Sequence, residues 1–352
     1  MEKSQAKIRI STPPGPLNRE TRAARRLSVS SGRMKCRRTS SRASKVGRRG
    51  GAVRLSPWRA NTPPVFCCAT LRFCSLVFVW AARLAGGRVH FGHGMGGAEE
   101  EALALANFVS RSGLWQRRSL LGRRMSAAVQ ARARTIALAR VSRRLPLAYL
   151  TREAWFAGMR FYVDKRVCIP RSPLAELIEA GFAPWLNPSR APRIIDLCTG
   201  SGCIAAACAF AFPDAEIVAT DLSPAALSVA ERNVRRLGLA GRVELRRGDL
   251  FAGAQGKFDL IVANPPYVPD GACVSLPREY RHEPRMALAA GADGLAIASR
   301  ILEEAPRYLA EGGLLALEVG EAAGDLAASH PELPFLWPSL ERGGEGVLLL
   351  RA

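Results

Sequence analysis

The stretch IIDLCTGSG, residues 194–202, decides the fold, because it passes from a short apolar run directly into a glycine-rich turn. A buried strand that ends in such a turn, followed by a helix, is typical of open α/β sheets. Glycine in the turn lets the backbone bend tightly and lie close to a ligand. The stretch therefore predicts a strand over Ile194–Cys198 with a ligand site at its carboxyl end.

The residues that follow alternate between strand and helix patterns. Glu216–Thr220 is predicted as a second strand, and Ser223 and Pro224 then begin a helix as N-cap and first-turn residue. Further strands are predicted at residues 243–245, 260–263, 314–319 and 347–350. This alternation predicts an α/β fold with a mostly parallel sheet and helices on both faces.

An acidic residue stands at the end of each of the first three predicted strands. Asp221 is placed to accept hydrogen bonds from ribose hydroxyls, and Asp249 to accept the exocyclic amine of an adenine. Because the carboxyl ends of parallel strands meet at one edge of the sheet, these acids predict a nucleoside site. The residues expected to bind the cofactor are Asp196, Thr199, Gly200, Gly202, Asp221, Asp249 and Asn264.

A dinucleotide-dependent dehydrogenase is the main alternative for such a site. The turn contains GSG at residues 200–202 without the third glycine of GxGxxG, and no residues suited to hydride transfer stand out. A glycine-rich turn by itself is also consistent with a plain structural turn. The pattern as a whole fits S-adenosylmethionine better than a dinucleotide.

A second motif, Asn264-Pro265-Pro266-Tyr267, ends the fourth predicted strand. The simplest interpretation is a rigid strand exit, because two prolines stop the ladder and restrict the chain. The Asn264 side-chain oxygen and the Pro265 carbonyl are also two acceptors that can hold both hydrogens of a planar NH2 group. Tyr267 can pack on the plane of that group. Asn264, Pro265 and Tyr267 are therefore the candidate catalytic residues.

The combination of DLCTGSG and NPPY resembles class I methyltransferases that act on planar amino nitrogens. These include DNA adenine and cytosine-amine methylases and the protein glutamine methyltransferases. The stretches AWFAG (154–158), FYVD (161–164) and IPRSP (169–173) are similar to the bacterial glutamine methyltransferases. Ser172-Pro173 and EYRHEP (279–284) resemble the branch that methylates large-subunit ribosomal protein uL3, since the release-factor branch typically has Pro-Glu-Thr after the arginine.

The resemblance spans about residues 70–352 and implies a Rossmann-like domain with a seven-stranded sheet. It implies a cytoplasmic enzyme that transfers a methyl group from S-adenosylmethionine to a glutamine of uL3, without a metal. One departure is Arg152, where the family usually has glycine. Three alternatives stay open: a release-factor methyltransferase, a DNA or RNA adenine methyltransferase, and a non-enzymatic ribosome-assembly factor.

Composition divides the chain into four predicted parts. Residues 1–66 are a disordered basic extension, 67–150 a helical substrate-recognition domain, 151–172 a β-hairpin linker and 173–352 the methyltransferase domain. The extension is consistent with a transit peptide, a basic tail that touches RNA, or upstream sequence from a misplaced start codon, and we favour the last. The apolar run within 65–82 predicts a buried helix, because it is too short to cross a bilayer.

Charge and metal-ligating residues exclude several function classes. The net charge is +21, but residues 1–66 hold 17 Lys and Arg against Glu2 and Glu20, which leaves +6 for the rest. That mild balance argues against direct nucleic-acid binding, apart from contact with ribosome precursors. The nine cysteines form no CxxC pair, and His90 and His93 have no third ligand nearby, so we expect reduced cysteines and no metal site.

Overall fold

A computed structural model describes residues 73–110, 124–186 and 192–352, so the prediction for residues 1–66 lies outside it. Within this part of the chain, no helix has both the length and the apolar character needed to cross a membrane. Free thiols are present at Cys168, Cys198, Cys203, Cys208 and Cys273, of which Cys203 and Cys208 are buried.

The amino-terminal described region is helical, as expected for residues 67–150. Its helices are α1 (Phe73–Gly86), α2 (Ala98–Ser110), α3 (Ala127–Arg143) and the short α4 (Leu147–Thr151). Ser126 caps α3 by accepting a hydrogen bond from the Val129 amide at 3.4 Å. The first three helices pack around a common apolar cluster that includes Trp80, Leu84, Leu105, Val109, Ala133 and Ala137.

The predicted hairpin follows directly. Strands β1 (Glu153–Phe156) and β2 (Met159–Tyr162) pair antiparallel, with Glu153 opposite Tyr162. Ala157 and Gly158 both have positive φ, at 45° and 72°. That geometry suits a two-residue hairpin turn, because its twist matches the right-handed twist of the strands.

A six-stranded sheet forms the centre of the rest of the described chain, with strand order β5-β4-β3-β6-β7-β8. Neighbouring strands are parallel except β8, which runs antiparallel to β7. The chain order therefore reverses between β3 and β6, which is where open α/β sheets bind ligands. The strands are β3 (Arg193–Leu197), β4 (Glu216–Asp221), β5 (Val243–Arg247), β6 (Phe258–Ala263), β7 (Leu309–Glu318) and β8 (Val347–Arg351).

Helices cover both faces of this sheet, as predicted. Ile194 of β3 belongs to one apolar cluster and its neighbour Ile195 to the other, because successive side chains point to opposite faces. The first face packs against α5 (Leu174–Glu179), α6 (Cys203–Ala211) and α7 (Pro224–Arg236), and the second against α8 (Ala296–Tyr308) and α9 (Ala323–Ser329).

The prediction of seven strands differs from the structure by one strand. Leu336 makes only an isolated bridge to Leu349 on the free edge of β8, with N···O distances of 2.9 and 2.8 Å. Pro334 and Pro338 flank this residue on either side. Since proline has no amide hydrogen, it cannot extend the ladder beyond that single pair.

Candidate active site

A cavity of about 740 Å³ opens at the carboxyl ends of β3, β4, β6 and β7. Its size lies in the range of small-molecule sites. Most of the residues predicted for the cofactor and for catalysis meet here. The predicted residues on its wall are Thr199, Gly200, Asp221, Asp249, Asn264, Pro265 and Tyr267.

Two predicted cofactor residues lie behind that wall. Asp196 is fully buried, and its Oδ2 accepts hydrogen bonds from Thr199 Oγ1 at 2.5 Å and from the Ala205 amide at 3.0 Å. Burial raises the pKa of Asp196 to about 7. Gly202, with φ of 77°, packs where an added Cβ would lie 3.2 Å from the Ala230 methyl carbon. These two residues shape the turn without lining the cavity.

Asp221 connects the ends of β3 and β4. Its Oδ2 accepts a hydrogen bond from the Gly200 amide and its Oδ1 accepts one from the Ser223 amide, each at 2.8 Å. Burial raises the pKa of this carboxyl. Each carboxylate oxygen keeps a second lone pair, so Asp221 can still accept hydrogen bonds from a ligand in the cavity.

Asp249 has a partner that the sequence does not reveal. Both of its oxygens accept hydrogen bonds from the Arg300 guanidinium, at 3.2 and 3.0 Å. The two side chains are 50% and 42% exposed, so water screens this ion pair. A ligand amine that approaches Asp249 would share the carboxylate with Arg300.

The Asn264-Pro265-Pro266-Tyr267 motif follows β6 directly, with Pro265 buried and Asn264 partly buried. The Tyr267 ring packs against Gly320, where an added Cβ would lie 2.7 Å from a ring carbon. The Tyr267 hydroxyl donates a hydrogen bond to Glu318 Oε1 at 3.2 Å. The motif is therefore fixed by the end of β7 as well as by its own prolines.

Glu318 is the residue of this site that sequence reasoning missed. It ends β7, is 4% exposed, and accepts hydrogen bonds from the Ser172 and Tyr267 hydroxyls. Burial raises its pKa to about 7, and hydrogen bonds from Ser172, Tyr267 and Asn264 oppose that shift. The available signal was an acid at the end of a predicted buried strand, the same signal that singled out Asp221.

Comparisons with known proteins point to a methyltransferase family. A family model described as "Methyltransferase small domain" matches residues 181–276. The ribosomal protein uL3 glutamine methyltransferase of Bordetella pertussis is 44% identical over 283 residues, which cover 80% of this chain and 94% of that protein. Its namesake from Francisella tularensis is 42% identical over 271 residues, covering 76% of this chain and 86% of that one.

The chain belongs to the ribosomal protein uL3 glutamine methyltransferase family. The family resemblance drawn from the sequence motifs is thus confirmed. Among solved structures, a methyltransferase from Pyrococcus furiosus is 18% identical with a TM-score of 0.39, covering 64% of this chain and 98% of that one.

In this member of the uL3 glutamine methyltransferase family, the EYRHEP segment (279–284) joins the helical region to the catalytic sheet. Glu279 Oε1 accepts hydrogen bonds from Arg140 of α3 at 3.1 Å and from the His90 amide at 3.0 Å. Arg140 is 1% exposed and also donates to Glu101 Oε1 of α2 at 2.6 Å. A buried charge of this kind is tolerated only with such partners.

The other end of the same segment holds the IPRSP stretch. Glu283 accepts two hydrogen bonds from the Arg171 guanidinium, at 2.5 and 2.7 Å, and one from the Ile169 amide at 3.0 Å. His282 instead lies 3.1 Å from the Arg143 carbonyl oxygen. His282 and Glu283 therefore have separate structural partners and do not form an acid–base pair.

His93 lies beside this junction, with its ring 4.5 Å from that of Tyr280. Burial lowers the pKa of His93 to about 4, so its imidazole is neutral near pH 7. Residues 73–110, 124–186 and 192–352 contain no cluster of three or more His, Cys, Asp or Glu side chains arranged to hold a metal ion.

Proposed function

We propose that the protein transfers a methyl group from S-adenosylmethionine to the side-chain amide nitrogen of a glutamine in ribosomal protein uL3. The observation that carries this proposal is the position of Asn264 and Pro265 on the wall of the same cavity as Thr199, Gly200 and Asp221. Two hydrogen-bond acceptors suited to a planar NH2 group, Asn264 and Pro265, therefore lie beside residues suited to a nucleoside.

The residues present fit S-adenosylmethionine. The cavity is large enough, and Asp221 retains lone pairs for two ribose hydroxyls. Asp196 lies behind the cavity wall and shapes the turn that carries Thr199 and Gly200, because it accepts hydrogen bonds from Thr199 Oγ1 and the Ala205 amide. We propose Asp196, Thr199, Gly200, Gly202, Asp221, Asp249 and Asn264 as the residues that form the cofactor site.

The residues around the nitrogen supply orientation and electrostatics. S-adenosylmethionine, when bound, offers an electrophilic methyl group on a sulfonium. The Asn264 side-chain oxygen and the Pro265 carbonyl accept hydrogen bonds from the two N–H groups of the glutamine amide. Tyr267 packs against the plane of that amide. As the N–C bond forms and the S–C bond breaks, the two acceptors stabilise the positive charge that develops on nitrogen. The surplus proton then leaves to water.

The cavity rim favours a polypeptide substrate. Met286, on the cavity wall, is 50% exposed, and Val274, between the wall residues Ala272 and Ser275, is 73% exposed, so both offer apolar surface near the cavity. The mild charge of the chain beyond residue 66 gives little attraction for a nucleic acid. The names of the relatives support uL3 as the substrate, and we propose that the enzyme acts in the cytoplasm.

The test is transfer of radiolabelled methyl groups from S-adenosylmethionine to purified uL3, with a peptide release factor and plasmid DNA as competing substrates. We expect label in uL3, at a glutamine that peptide mass spectrometry identifies. Label in the release factor alone would move the protein to the other branch of the family. Label in DNA, in preference to both proteins, would refute glutamine methylation.

A further inference from the structure

Glu318 and Asn264 lie side by side at the ends of two adjacent parallel strands. Ala263 of β6 pairs with Leu317 of β7. The residue that follows Ala263 is Asn264, and the residue that follows Leu317 is Glu318. The Asn264 side chain is near enough to the Glu318 carboxyl to lower its pKa. The strand register therefore places a buried carboxyl against the amide that is proposed to bind the substrate.

Both oxygens of the Glu318 carboxyl accept hydrogen bonds. Ser172 donates to Oε2 and Tyr267 to Oε1, and both are neutral hydroxyls. Arg171, the nearby cation, is bonded through its guanidinium to Glu283 instead. An ionised carboxylate can only accept hydrogen bonds, so it attracts the NH2 of Asn264 and repels its oxygen.

We propose that Glu318 is a positioning residue that holds the Asn264 amide with its NH2 toward the carboxylate and its oxygen toward the substrate. This inference rests on the proposed function of Asn264. In the opposite orientation the Asn264 NH2 would face the substrate NH2, where two donors meet and no hydrogen bond forms. The charge of Glu318 thereby decides whether the site can accept the substrate nitrogen.

A protonated Glu318 can donate a hydrogen bond to the Asn264 oxygen. The Asn264 amide is then no longer held with its oxygen toward the substrate. We therefore expect methyl transfer, at saturating S-adenosylmethionine, to decrease as the pH falls through about 7, the pKa to which burial raises Glu318. Of the other groups near this carboxyl, Arg171 stays charged, while Tyr267 and Cys168 stay neutral because burial raises their pKa. Asp196 also has a pKa of about 7, but it holds the cofactor turn, so its titration changes cofactor affinity.

The first test is Glu318→Gln, whose amide can donate to the Asn264 oxygen. We expect kcat to fall about a hundredfold, the scale of an ångström-sized misplacement, and the remaining activity to lose the decrease below pH 7. Cofactor affinity by calorimetry should stay within about threefold, because Glu318 is outside the turn that holds Asp221. The matched control is Glu303→Gln, an exposed position on α8, which should behave as wild type.

The second test avoids changing Glu318 itself. Ser172→Ala removes a hydrogen bond that lowers the pKa of Glu318. The decrease in activity, measured relative to the variant's own plateau, should therefore move to higher pH. A purely structural role for Glu318 predicts no such movement, and this result also stands if Glu318→Gln does not fold.

Three outcomes would overturn the positioning role: wild-type kcat in Glu318→Gln, an unchanged pH profile in that variant, or an unmoved profile in Ser172→Ala. Failure of the proposed function looks different. In that case wild-type protein would label no glutamine in uL3 or release factor, before any variant is compared.

Discussion

Asp196 and Glu318 are two buried carboxyls at the same edge of one sheet, and burial raises the pKa of each to about 7. They differ in where their hydrogen-bond donors come from. Asp196 is bonded to Thr199 and Ala205, within nine residues of itself. Glu318 is bonded to Ser172 and Tyr267, which are 146 and 51 residues away in sequence.

Because their hydrogen-bond donors differ, the two carboxyls are expected to support different functions. The bonds of Asp196 shape a local turn, on which the proposed cofactor site depends. The bonds of Glu318 join three distant segments around Asn264, on which the proposed orientation of the substrate nitrogen depends. Substitutions on the Asp196 side should therefore change cofactor binding, and those on the Glu318 side should change turnover.

The largest effect is expected at Asn264. Asn264→Ala removes one of two acceptors for the substrate NH2, so methyl transfer should fall about a hundred- to a thousandfold. Cofactor affinity should change far less than turnover, because the other six proposed cofactor residues lie on β3 and β4, in the turn after β3 and after β5. The measurement is single-turnover labelling of uL3, with calorimetry for S-adenosylmethionine.

Asn264→Asp sharpens the same comparison, since it keeps an acceptor oxygen but loses the donors that face Glu318. Two carboxylates at neighbouring strand ends would repel each other or share a proton. If the donors of Asn264 hold it in place, this variant should be nearly as inactive as Asn264→Ala. Substantial activity in Asn264→Asp would show that an acceptor alone is sufficient.

The next effect is expected on the cofactor side, at Asp221. Asp221→Ala removes the proposed ribose acceptor and the anchor of the Gly200 amide. S-adenosylmethionine binding should weaken by about 1.5–3 kcal/mol, the usual contribution of a hydrogen bond to a charged group. Calorimetry on the purified variant decides this, and unchanged affinity would refute the ribose assignment.

A pH series compares the two carboxyls through stability. An acid whose pKa is raised by folding binds protons more tightly in the folded state, so its contribution to stability falls as the pH rises from about 4 to 7. His93, whose pKa is lowered to about 4, contributes with the opposite sign up to about pH 6.5. Variants must therefore be compared with wild type.

Each of these carboxyls makes the free energy of unfolding fall as the pH rises, by at most about 1.4 kcal/mol per pH unit. Asp196→Asn and Glu318→Gln should each remove one of these two contributions. The double variant should remove both. Urea unfolding at pH 5, 6, 7 and 8 measures the slopes. If a single variant keeps the wild-type slope, that carboxyl does not titrate in this range.

The smallest effect is expected at Arg300. Its ion pair with Asp249 is about half exposed and worth about 0.2–1 kcal/mol at most. Arg300→Ala should therefore change stability little and change S-adenosylmethionine affinity less than Asp221→Ala does. A loss of affinity as large as that of Asp221→Ala would show that Arg300 itself contributes to the cofactor site.

The features that the sequence predicts are those determined by residues close together in the chain. The strand predicted at 194–198 with its glycine-rich turn, the Ser223 cap of α7 and a hairpin within 151–172 follow from neighbouring residues. The structure has the strand at Arg193–Leu197, the cap at Ser223 and the hairpin at residues 153–162. Glu318 was missed because its role depends on donors from distant segments. The Asp249–Arg300 pair was missed for the same reason, since 51 residues separate its members.

The seven-strand expectation failed for another reason. It came from the general form of the fold, whereas Pro334 and Pro338 limit this chain to one bridge at Leu336. The sequence thus contained the local correction to a prediction drawn from family resemblance.

The EYRHEP segment has a consequence for exchanging parts between members of this family. Glu279 is bonded to Arg140 of the helical region, and Glu283 is bonded to Arg171 beside the cavity. A chimera whose helices come from a relative without an arginine at position 140 would leave Glu101 and Glu279 without that buried partner. Keeping these buried ion pairs intact would require moving the helices, the IPRSP stretch and the EYRHEP segment together.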